Sequence, residues 1–493
     1  MKRLIPAALS AMALATAALV GSASADYVVY YLPKSGKGLI LEGKAHKGNG
    51  TWTVMHRYGE MVFENTDVDV YPVPKPVIKI HADMKAAQKN GDCDALLALS
   101  AKAIRSGEPE YFMKAMNEIQ KIDAEHKPSA VGRRIRERLR SEIPVTDAEE
   151  KAIRNIVKEG DMKVLRSEHF IMLTDVTKRS KGSRESRAHE RLKLMENVYI
   201  GFMGLFASRG VELVTPRERM MTVYYADRKD FRSMASSLHH NVEGLLGFFQ
   251  PDINCSFFFD FESDDGAQFI SGLAKDIKDL LKEKQREGIW NVKKLARASR
   301  MFDVMAEVYR ERQDVEVVTH EATHQIAANS KLFPRDVYVP RWVHEGLACY
   351  FEAPRDVAWS GVGTVADDRL DQYAGMKDDK EHCHVDFIMS DKTFKLAANT
   401  ETMAAAYGPS WALVHFLLER HFEKTMKYFR LLGSIPKKRV LSGDEYSKLF
   451  DSVFPKSERE KLNSQWHAYM DTLKTDFEIV VGKSKRRAGG NDD

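Results

Sequence analysis

The stretch that most limits what this chain can become is Val317-Val318-Thr319-His320-Glu321-Ala322-Thr323-His324-Gln325, a helical pattern with two histidines four residues apart. That spacing puts both imidazoles on one helix face, one turn apart, where they can hold a single tetrahedral ion. Glu321 then lies beside the ion's open position, where it can take a proton from water and pass it to a leaving amine. Three fixed residues in five recur by chance, so a third ligand is needed. Trp342–Glu352 begins 18 residues after His324 and again has a helical pattern. Catalytic zinc sites use three protein ligands and leave the fourth place for water. Glu345, 21 positions past His324, is the candidate. Glu352, two turns further on, is a reserve ligand or a hydrogen-bond acceptor for a metal-bound histidine. His344 points to a different helix face, to support the site from outside or to meet solvent.

A metzincin would need Gly at 327 and His at 330, but the chain has Ala327 and Ser330. His320-Glu321-x-x-His324 followed by Trp342-x-x-Glu345-Gly346-x-Ala348 instead resembles the gluzincins. It is most similar to their aminopeptidase-like branch and to the exported peptidase-MA-like proteins. The resemblance is tight over 317–352. Over the rest of 163–430, a strand–helix–strand–strand order before the histidines fits a thermolysin-like domain. It implies His320, His324 and Glu345 as zinc ligands and Glu321 as the base. It also implies a tyrosine some sixty residues past the glutamate to stabilise the oxyanion. Tyr407 stands 62 positions past Glu345; the alternative is that it caps and packs the apolar helix that ends near Arg420. No Gly-rich motif for a free amino terminus precedes His320, so zinc hydrolysis is better supported than aminopeptidase specificity. Cys255–Phe261 would be the edge strand for an extended peptide, or else a buried Phe-rich strand.

Lys2 and Arg3, the apolar Leu4–Val20 and the small-x-small Ala23-Ser24-Ala25 have the order of a cleavable signal peptide, cut after Ala25. A secreted or periplasmic mature protein is expected, with no stable membrane insertion. The formal net charge is +4, and removing 1–25, whose only charges are Lys2 and Arg3, leaves +2. That is too near neutral to indicate a nucleic-acid partner. Export permits disulfides among Cys93, Cys255, Cys349 and Cys383, but their spacing matches no framework, and buried free thiols serve as well.

The mature chain is expected to be α+β. Residues 26–76 are expected to form a small, SH3-like β module, with strands at Tyr27–Leu32, Gly38–Glu42, Thr51–His56 and Glu60–Phe63, stopped by Pro72-Val73-Pro74. Residues 77–160 are helical, with one imperfect tetratricopeptide-like unit. Residues 163–480 form the thermolysin/gluzincin-like catalytic domain. It has strands at Glu168–Thr174 and Met220–Ala226, a helix at Glu185–Ser208, and a charged helical stretch, Gly266–Arg312, ending before the histidines. Residues 481–493 are read as a disordered tail. His382 and His384 are read as a polar loop, and His239 and His240 as solvent-exposed. The expected activity is zinc-dependent hydrolysis of peptide bonds in a peptide or protein substrate. The alternative is a non-catalytic envelope or secreted binding protein on a degenerate peptidase fold.

Overall fold

A computed structural model describes residues 24–31, 38–74, 76–157, 161–288, 292–397 and 400–482. The first unit is an antiparallel sheet of β1 (Ser24–Tyr31), β2 (Gly38–Lys47), β3 (Thr51–His56), β4 (Gly59–Glu64) and β5 (Val68–Pro74), in the order β4-β3-β2-β1-β5. The strand β5 runs through the prolines expected to stop the pattern. It lies at the sheet edge and pairs only with β1, so a missing N–H on its outer side breaks no ladder. Of the expected leader, residues 1–23 lie outside the described residues; Ser24 and Ala25 pair with Pro74 and Val73.

Next come α1 (Pro76–Lys89), α2 (Cys93–Arg105), α3 (Glu110–Ile122), α4 (Ala130–Leu139) and α5 (Asp147–Ile156). Their apolar faces, among them Leu96, Phe112, Ile119 and Ile135, join the main core without a break. The chain continues through β6 (Lys163–Arg166), β7 (Phe170–Thr174), α6 (Arg187–Ser208), β8 (Met220–Tyr225), α7 (Arg228–Ser237), β9 (Gly247–Gln250) and β10 (Cys255–Phe259). These strands form a second sheet in the order β6-β7-β8-β10-β9, in which β7, β8 and β10 are parallel and β6 and β9 antiparallel to their neighbours. Cys255–Phe259 is therefore an interior strand, fully buried, and not the edge. The edge on that side is β9, which is too short and too irregular in pattern to read from the sequence.

Two long helices follow, α8 (Asp265–Arg286) and α9 (Lys293–Asn329). The charged stretch does not end before the histidines. α9 runs 37 residues without interruption, about 55 Å at 1.5 Å per residue. Its first half packs Val304 and Val308 against Val28, Leu41, Val54, Met61 and Phe63 of the β module, and its second half lies on the second sheet. Then come α10 (Arg341–Cys349), the short pair β11 (Pro354–Arg355) and β12 (Ala358–Trp359), α11 (Asp367–Met376), α12 (Val385–Met389), α13 (Lys392–Lys395), α14 (Thr400–Arg420), α15 (Phe422–Gly433), α16 (Gly443–Asp451), α17 (Arg459–Thr472) and α18 (Asp476–Val481). The tail expected from 481 thus overlaps the last helix by a residue, and 483–493 lie outside the described residues. The chain is α+β, with an N-terminal antiparallel sheet. All four cysteines are buried free thiols. Among the described residues no helix is long and apolar enough to cross a membrane.

Candidate metal centre

One turn of α9 is pinned to the sheet by Gln325. Its amide donates to the carbonyls of Met221 (2.8 Å) and Asn254 (3.2 Å) and accepts from the Ser256 hydroxyl (3.2 Å). This fixes the face carrying His320, Glu321 and His324. The edge strand β9 reaches that face because it begins with glycine. A Cβ on Gly247 would lie 2.6 Å from Val317 Cγ1 and 3.2 Å from Glu321 Cγ. Glu321 accepts a hydrogen bond from the Phe249 backbone, and burial pushes its carboxyl above the usual carboxylate range, against the pull of His320 and His324.

The helix α10 brings the third residue. Asp391 caps its start, accepting from the Trp342 N–H at 3.0 Å. At Gly346 the helix crosses α14 so closely that a Cβ would stand 2.5 Å from the Ser410 carbonyl oxygen. The Gly after Glu345 is thus a packing requirement, which seats Glu345 between the two histidines and α14.

The three residues converge. His320 Nε2 lies 3.1 Å from Glu345 Oε2 and 3.1 Å from His324 Nε2, and His324 Nε2 lies 3.5 Å from Glu345 Oε2. All three can offer ligand atoms to one ion. The far side of His320 decides what they present. Its Nδ1 lies 2.6 Å from the buried Glu352 Oε2, which can only accept while ionised. A neutral His320 therefore donates there and turns its Nε2 lone pair inward, towards Glu345 and His324. Such a set calls for positive charge at its centre, and a divalent cation fits the donors. The electrostatics agree in sign. Glu345 is held well below the usual carboxylate range, burial being outweighed by hydrogen bonds with His320 and His324. His320 is raised although burial alone would lower it, through bonds with Cys349, Glu345 and Glu352.

Glu352 lies beyond the end of α10, not on its face, and meets His320 from behind as a hydrogen-bond acceptor. Arg369 of α11 holds its other oxygen at 2.6 Å. The same guanidinium stands 5.0 Å over the Tyr407 ring. Tyr407 is two turns inside α14, so it does not cap that helix; its ring centroid is 6.2 Å from that of His320. The Glu345 charge and burial raise its phenol well above its ordinary value, which keeps it a proton donor. His344 stacks on His324 with ring centroids 3.9 Å apart, and burial lowers it to about 3, so it stays neutral.

Arg341, Arg369 and Asp391 belong to no motif in the sequence. Arg341 alone carried a signal, standing one helical turn before Glu345; the other two reach the site through the tertiary fold. The remaining histidine readings divide. His382 pairs with Asp379 at 2.7 Å, and His384 caps α12 by accepting from the Asp386 N–H, which are the roles of a polar loop. His240, expected to be exposed, instead packs its ring 4.3 Å from that of Phe248 and bonds Gln250 at the β9 edge.

Fold and site together define an α+β chain with a two-histidine, one-glutamate cluster suited to a divalent metal. A family described as a protein of unknown function (DUF1570) matches residues 314–437. That span contains His320, Glu321, His324, Glu345, Glu352, Arg369 and Tyr407. No curated protein and no solved structure matches the chain.

Proposed function

We propose that this chain is an exported zinc-dependent metallopeptidase of gluzincin type, with a thermolysin-like catalytic core. The observation that carries this reading is the convergence of His320 Nε2, His324 Nε2 and Glu345 Oε2, with Glu321 beside them on the same helix. A bound zinc would polarise the scissile carbonyl and lower the pKa of water from 15.7 to roughly 7. Glu321, raised by burial, takes the proton of the attacking water and hands it to the leaving amine. Tyr407 donates a hydrogen bond to the developing oxyanion. The edge of β9, next to Glu321, offers backbone groups along which an extended peptide can lie. Glu352 and Arg369 hold His320 in the tautomer that the ligand set requires.

The test is digestion of a mixed peptide library by the zinc-loaded protein and by Glu321→Gln. Cleavage by the wild type alone supports the reading. Equal cleavage by both, or none by either with zinc bound, contradicts it and favours a binding protein on a peptidase-like fold.

A further inference from the structure

We propose that Arg341 docks a substrate carboxylate beside the scissile amide, so that the peptides this site takes carry a C-terminal or acidic side-chain carboxylate near the cut bond. The inference deepens the metallopeptidase reading and rests on it.

Arg341 is the first residue of α10, one turn before Glu345, and its side chain is 45% exposed. Its Nε lies 3.5 Å from Glu345 Oε1, the oxygen turned away from the histidines. The guanidinium sits 4.7 Å over the ring of Phe394, and that ring packs 5.3 Å from Tyr407. Arg341 also interacts with the Tyr407 phenol. It is therefore a positive group held over the Phe394 ring and beside the Tyr407 phenol, one turn from Glu345, with nearly half of its side chain exposed.

Its own countercharges are poor ones. The Glu345 contact is long, and that carboxylate is the one the metal cluster would use. Asp391 is also nearby, but it accepts from the backbone N–H groups of Arg341 and Trp342 and is shared with Lys395. A guanidinium offers five donors in a planar fork that matches a carboxylate, which makes a pre-positioned and incompletely paired arginine suited to bidentate recognition. The geometry also limits where the carboxylate sits. Glu345 bridges Arg341 and the histidines, so an anion on Arg341 is within a residue or two of an amide at the cluster.

The probe is an N-acetylated tetrapeptide, Ala-Ala-Phe-Ala, prepared as the free acid, as the amide, and as an amide with glutamate in last place. Each is titrated calorimetrically into full-length zinc-loaded Glu321→Gln protein, with and without Arg341→Ala or Arg341→Lys. At least one carboxylate-bearing form is expected to bind ten times more tightly than the plain amide. Preference for the acid assigns the C-terminal carboxylate, and preference for the glutamyl amide assigns a side chain. Arg341→Ala should cut the preference below twofold at unchanged zinc content, with Arg341→Lys intermediate. Carboxylate forms that bind no better than the amide, or a preference that survives Arg341→Ala, overturn the proposal. Digestion of the same peptides by the wild type separates the two readings. Carboxylate binding without cleavage retains the docking site and removes the peptidase, whereas cleavage indifferent to the carboxylate does the reverse.

Discussion

His320 faces two glutamates through its two ring nitrogens, with Nδ1 2.6 Å from Glu352 and Nε2 3.1 Å from Glu345. The first contact sets the tautomer and the second belongs to the ligand cluster. Glu352→Gln keeps the size and an accepting oxygen but removes the charge that favours the Nδ1 proton. Loss of such an outer partner typically costs about 10–100-fold in metal affinity. A loss of about tenfold is expected for Glu352→Gln, measured by competition with a chelator. Unchanged affinity would remove Glu352 from the account.

Protons and metal compete for the same lone pairs, so zinc should stabilise the protein more as pH rises. In the metal-free protein His320 is raised in the folded state. Its contribution is complete below the unfolded value, about 6.5, and is lost as pH rises through the folded one. Zinc adds stability in the opposite sense. The difference in Tm with and without zinc is expected to widen from pH 5.5 to pH 8, and a constant difference would argue against imidazole ligands.

His415 supplies an acid-sensitive element away from the cluster. It is buried, its Nε2 donates to the Gly363 carbonyl at 3.1 Å, and its Nδ1 accepts from the Tyr469 hydroxyl at 2.9 Å. Burial lowers it to about 4. A depressed histidine contributes stability that is full above the unfolded value, about 6.5, and is lost as pH falls through the folded one. At 1.36 kcal/mol per unit this is on the order of 3 kcal/mol. Denaturant titrations from pH 7 to 4 should show a shallower acid loss in His415→Gln, which starts less stable.

Gly346→Ala places a Cβ against the Ser410 carbonyl where α10 crosses α14. Overpacking of this kind costs about 1–3 kcal/mol. Here it also displaces Glu345. A lower Tm together with weaker zinc binding is expected; a lower Tm with normal zinc would mean that the crossing does not position the ligand.

The β module is tied to the segment after Glu352 by a buried pair, His56 Nε2 to Asp356 at 3.1 Å, while His56 Nδ1 accepts from the Tyr58 N–H. Asp356→Ala strands a buried donor, at a cost of about 1–3 kcal/mol. Hydrogen exchange should quicken in 51–64 before the second sheet is affected, and uniform protection would contradict a local tie.

The parts legible in the sequence are those whose geometry is local. The spacing from His320 to His324 sets a helix face by itself, and Glu345 follows on the next helix. The strands β7, β8 and β10 and the helix α6 also lie close to their expected bounds, because their apolar runs are long. What escaped depends on neighbours in space. The strand β5 tolerates its prolines only because it is an edge, and β9 is four residues whose place is set by Gly247 meeting Val317. The Phe-rich strand became interior because β9 pairs on its outer side. Arg369 and Asp391 reach the site from 24 and 46 positions past Glu345, through the packing of α11 and the α10 cap, and no periodicity announces either.

The central claim is that His320, His324 and Glu345 hold one divalent metal. Elemental analysis of purified residues 26–493 after metal-replete dialysis tests it directly, beside Glu345→Ala. About one zinc per chain in the wild type and a marked loss in the variant is the result this account predicts. No zinc in either protein, with both folded, would contradict it.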